Sequence, residues 1–143
     1  MEKDTVKLLE ACNEGIKMGV DSIAEVIDRV EDDTLRKRLE KSKEEHQQLG
    51  SETHAYLNRC GRPTDSPNPI AQSMSFIKTE VKLAADCSDK TIAGLMTDGC
   101  NMGIKSLSEI KNRYPEADGK AVELTNRVIR MEETLAQDLR SYL

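Results

Sequence analysis

No stretch of this sequence approaches the run of about 20 apolar residues that a bilayer-spanning helix needs. The opening residues Met1-Glu2-Lys3-Asp4 also lack the apolar centre of a signal peptide. These two absences lead us to expect a cytoplasmic protein with no membrane insertion. No C-x-x-C pair occurs among Cys12, Cys60, Cys87 and Cys100, so redox and zinc-ribbon motifs drop out and structural thiols are expected. Neither a G-x-G-x-x-G nor a Walker-type loop is present, which removes the usual phosphate cradles. Basic charge is not in excess either: 21 Lys and Arg stand against 26 Asp and Glu, interleaved with them, for a net charge of −5. Nucleic acid is therefore not an expected partner.

What the chain does have is helical periodicity. Its 143 residues, 37% hydrophobic and 33% charged, suit one domain, 1–143, of helices with one buried and one solvated face. A first helix is predicted over about 5–30, with Leu9, Cys12, Ile16, Val20, Ile23, Ile27 and Val30 on one stripe. Asp33 is expected to cap a second helix carrying Leu35, Leu39, Leu49 and Tyr56-Leu57, which stops near Cys60-Gly61 and completes a hairpin over 5–60. A proline-bearing connector over 61–68 leads to Asn68 and Pro69, a cap and first residue for a crossover helix over 69–87 with Ile70, Met74, Ile77, Val81 and Ala84 aligned. Ser88 reads as the next cap, with Ile92, Met96, Cys100, Gly103, Leu107 and Ile110 in line before Pro115. A last helix over about 117–142 presents Leu124, Val128, Met131, Leu135 and Leu139, completing a second hairpin over 89–142.

The run Cys12-Asn13-Glu14-Gly15-Ile16-Lys17 recurs as Cys100-Asn101-Met102-Gly103-Ile104-Lys105, five identities in six at a displacement of 88. Tyr56-Leu57 is echoed at nearly the same displacement by Tyr142-Leu143. The expected fold is therefore all-α, a four-helix bundle of two hairpins joined by an additional crossover helix, with an internal repeat. That layout, together with the run Asp98–Lys105 and Glu132-Glu133 in the last helix, resembles uncharacterised bacterial ferritin-like proteins of the domain-of-unknown-function kind. The resemblance implies a ferritin-like bundle and bacterial origin; it implies a fold more than an activity.

A ferritin-like di-iron centre requires one carboxylate from each of two helices and an E-x-x-H pair from each of the other two. His46 has Lys43 where the glutamate belongs, His54 has Ser51, and the last helix holds no histidine to partner Glu132 or Glu133. At about 100° per residue, Glu14 is expected opposite Ile16 and Ile23, and Asp98 and Glu109 away from Met96, Gly103 and Leu107. Inward positions fall instead to Ser42, His46 and Thr53, with Glu132 at the edge of its stripe and Asp138 on its other flank. His46 and Glu132 occupy equivalent positions under the repeat. They are expected to hydrogen-bond to one another or to water; the alternative is an altered metal or redox site of His46, Glu45 and Glu132, with Glu45 swinging in from its flank.

Two further features lack an immediate role. Gly15, Gly19, Gly99 and Gly103 sit inside helices, each at a cost of about 1 kcal/mol relative to alanine, and close approach of helix backbones is the expected compensation. Phe76, Leu83 and Ile129 lie off the main stripes and, if clustered, would suit self-association. The sequence thus leads us to expect a non-enzymatic helical scaffold or interaction protein, a homo-oligomer, with no catalytic residues, no cofactor and an unidentified protein partner. A metal-binding or redox role around His46 is the alternative, and a small apolar ligand in the core, where Ser42, His46 and Thr53 interrupt the aliphatic lining, is a third reading.

Overall fold

A computed structural model describes residues 2–60 and 88–143. The connector over 61–68, the crossover helix over 69–87, Cys87, Phe76 and Leu83 lie outside the described residues. Four long helices account for most of the rest: α1, Glu2–Val26; α2, Asp33–Arg59; α3, Asp89–Arg113; and α4, Gly119–Leu139. Short 3-10 turns at Ile27–Arg29 and Arg140–Tyr142 follow α1 and α4, and no strand occurs among the described residues.

Helix starts are set by side-chain caps, each satisfying a backbone N–H that has no partner within the helix. Ser88 Oγ accepts from Thr91 N at 3.2 Å, as expected, and Asp118 Oδ1 accepts from Ala121 N at 2.8 Å. At α2 the cap is Asp32, whose Oδ1 accepts from Leu35 N at 2.9 Å, and not the expected Asp33. Asp32 has the extended backbone a cap requires, with φ −72° and ψ 124°, while Asp33 already belongs to the helix and pairs with Arg36 at 2.6 Å.

The helices form two antiparallel hairpins, α1 on α2 and α3 on α4, with α1 also packed on α3 and α4, and α2 on α4. Each hairpin's turn is held by the other hairpin. Asp89, in the first turn of α3, accepts the backbone N–H groups of Glu31 and Asp32 at 2.9 Å each. At the opposite end, Asp4 Oδ2 accepts from Glu116 N at 3.0 Å, Thr5 Oγ1 accepts from Asp118 N at 2.8 Å, and Tyr56 donates to Asp118 at 2.5 Å. These bonds fix the longitudinal register of the hairpins, which in turn sets which side chains meet at mid-height.

The core divides in two. One apolar cluster, including Ile23, Val26, Leu35, Leu39, Ile92 and Leu139, fills the end near the α1–α2 turn. The other, including Leu8, Leu9, Cys12, Leu57, Leu124 and Val128, fills the opposite end. Full burial of each such leucine or isoleucine stabilises by about 1.5–3 kcal/mol. Ile129, expected on the outer side of α4, is half-buried against the second cluster. Among the described residues, Leu143 is the only large hydrophobic side chain left exposed.

Candidate functional site

Between the two apolar clusters lies a polar layer centred on His46 of α2 and Glu132 of α4. His46 is 1% exposed and Glu132 9%. The His46 Nδ1–H donates to the Ser42 carbonyl at 2.7 Å, a one-turn contact along α2, and Ser42 Oγ lies 3.3 Å from the same nitrogen. Because a carbonyl oxygen can only accept, Nδ1 carries a hydrogen. Nε2 meets Glu132 Oε1 at 2.5 Å, a close contact between an imidazole and a carboxyl group. Burial by itself would lower the imidazole's pKa. The hydrogen bond and negative charge of Glu132, helped by the Ser42 carbonyl and the charge of Glu45, outweigh it and raise the pKa above its ordinary value. The pairing thus favours the protonated imidazole, with Nε2–H directed at Glu132.

Cys100 of α3 joins this pair. Burial first, then the charge of Glu132 and a hydrogen bond to it, push the Cys100 thiol well above its usual range, so it is an S–H donor and not a thiolate. Cys12 sits 3.2 Å from Thr125 Oγ1, and burial pushes its thiol up to about 11. Cys60 is raised as well, again chiefly by burial. All three described thiols are protonated at neutral pH and are poor nucleophiles. Two turns further along α2 from His46, Thr53 donates to Asn13 of α1.

The expected site residues divide clearly. His46 and Glu132 come together; Glu45 does not join them. It is exposed and faces Arg38, 3.6 Å away, which also binds Asp138 at 2.6 Å. Asp138, expected on an inward flank, is accordingly exposed, drawn out by that guanidinium. Asp98 and Glu109 are exposed as expected, but Glu14 is half-buried rather than turned to solvent. It lines an opening between α1 and α3. No group of three or more His, Cys, Asp or Glu among the described residues is placed to hold a metal ion.

That opening is a cleft of about 540 Å³, with Gly15, Met18 and Gly19 on its α1 wall, Gly99, Met102 and Gly103 on its α3 wall, and His46 and Glu132 at its floor. The glycines do not serve the close helix contact expected of them. Among the described residues, a Cβ at Gly15 or Gly99 would meet nothing within 4 Å, and one at Gly103 would make ordinary contact with Glu132 at 3.9 Å. Gly19 alone is needed for packing: its Cβ would fall 2.6 Å from His46 Cδ2 and 2.7 Å from Nε2. Absence of a side chain at Gly19 is what lets the imidazole lie against the α1 backbone and reach Glu132. Sequence reasoning missed the cleft and the part played by Cys100, although glycines at i and i+4 in both α1 and α3 were a signal of a side-chain-free strip.

Compared with known proteins, the chain matches no family model, no curated protein and no solved structure.

Proposed function

We propose that this chain is a non-enzymatic helical scaffold or interaction protein with a ferritin-like arrangement of two hairpins, in which the position of the di-iron centre is taken by a self-neutralising polar layer. The observation that supports this reading is the closure of the His46–Glu132 pair. Both imidazole nitrogens are committed, one to the Ser42 carbonyl and the other to Glu132. An imidazole with both nitrogens committed to its neighbours has no lone pair left for a metal ion and serves to organise the core. In this reading the protein acts through its surface, as an assembly of identical copies, in the cytoplasm.

The rival reading is an altered metal site built on His46, Glu132 and an inward-swung Glu45. Elemental analysis of protein purified without chelators, alongside His46→Ala, separates the two. The scaffold reading expects no stoichiometric iron, zinc or manganese in either protein. Stoichiometric metal in the wild type that disappears in His46→Ala would overturn it.

A further inference from the structure

Three glycines on the walls of the α1–α3 cleft carry the usual helix penalty without any compensation from packing among the described residues. Gly15 and Gly99 face open space, and Gly103 reaches only an ordinary contact. What these glycines accomplish is geometric: Gly99 and Gly103, four residues apart on α3, and Gly15 on α1 leave bare helix backbone on both walls of the cleft, above a buried carboxylate. Met18, Met96 and Met102 line the same space, and their unbranched, polarisable thioethers adapt to flat ring systems. The volume, about 540 Å³, lies within the range of small-molecule sites, and such sites are mostly apolar with a few fixed polar groups.

The polar group here is Glu132. An ionised carboxylate offers about four acceptor positions. Glu132 commits one acceptor position to His46 and is among the residues that line the cleft. His46 is held as a donor toward Glu132, so the cleft floor presents acceptor capacity rather than donors.

We infer that the α1–α3 cleft is a binding site for a flat, largely apolar small molecule that carries a hydrogen-bond donor at one end, seated between the glycine strips with its donor on Glu132. This goes beyond the scaffold reading and does not depend on it, since a non-catalytic bundle with or without a ligand would give the same metal analysis.

The test uses 2-naphthol and its methyl ether as probes, titrated into the full chain and followed by ligand fluorescence. The two probes share a ring system and differ in the O–H. Saturable binding of 2-naphthol is expected, with the ether about tenfold weaker, the equivalent of one hydrogen bond to a charged acceptor. Gly99→Leu places a side chain in the open space of the cleft wall and removes binding while the helix melts no earlier than in the wild type. Gly94→Leu, on the same helix where a Cβ also meets nothing within 4 Å but outside the cleft lining, leaves binding unchanged. Any of three outcomes overturns the inference: no saturable binding of 2-naphthol by the wild type; equal binding by Gly99→Leu; or a cleft already filled by a second copy or by residues 61–87, seen as Gly15 and Gly99 amide signals that the probe does not shift.

Discussion

The two apolar clusters and the polar layer between them are built from the same four helices, yet they hold the bundle by different means. In the clusters, leucines and isoleucines gain from burial wherever they fit, and neighbouring residues of similar size serve nearly as well. In the layer, His46 and Glu132 gain only if each finds the other, because either one alone is a buried polar group without a partner. Apolar packing stabilises the bundle broadly; the polar pair ties α2 to α4 at one height. The comparison teaches that the polar pair adds a selective α2–α4 contact at mid-height, made possible by the missing side chain at Gly19, to a register set by the bonds at the bundle's ends.

The sharpest way to break this comparison is to remove one member of the pair. Glu132→Leu strands a buried imidazole and is expected to cost about 3–5 kcal/mol in denaturant unfolding, as for other one-sided breaks of buried pairs. Leu124→Ala, in the apolar cluster at the far end from the α1–α2 turn, is expected to cost about 2–5 kcal/mol by creating a cavity, without altering the pH dependence of stability.

Next comes a pair of identical substitutions four residues apart. Gly19→Ala drives a methyl into the His46 ring and is expected to destabilise by about 1–3 kcal/mol, whereas Gly15→Ala meets open space and is expected to stabilise by up to about 1 kcal/mol. Thermal melts of the two variants check the opposite signs.

The smallest expected effect is in pH. The folded pKa of His46 is raised, so its contribution is fully present below the unfolded value near 6.5 and is lost as pH rises through the higher folded value. Unfolding midpoints should therefore be steady on the acid side of that value as far as His46 is concerned and fall above it. His46→Leu should flatten the fall.

Much of the fold was legible in the sequence because helical stripes are local. Leucines and isoleucines at three- and four-residue steps predicted all four described helices, and Ser88 predicted the start of α3. The start of α2 was missed by one residue because Asp32 and Asp33 are chemically identical; only the backbone angle decides which of them caps. Inward rotation of His46, Ser42 and Thr53 was likewise readable from the period. Glu45 and Asp138 were not, because the determinant is Arg38, whose reach across to α4 depends on interhelical distance and leaves no periodic trace. Glu14 and the glycines were misjudged for the same reason: rotation on a helix wheel says which way a residue points, but not whether the neighbouring helix stands close enough to meet it.

The most direct measurement is a double-mutant cycle on His46 and Glu132, using His46→Leu, Glu132→Leu and the double variant, read by denaturant unfolding at pH 6. The account predicts strong coupling, with the double variant recovering about 2 kcal/mol or more of what the two single losses sum to, because two leucines can pack where one stranded polar group cannot. Losses that add to within about 0.5 kcal/mol would contradict it, since the pair would then not be the tie between α2 and α4 that its geometry describes.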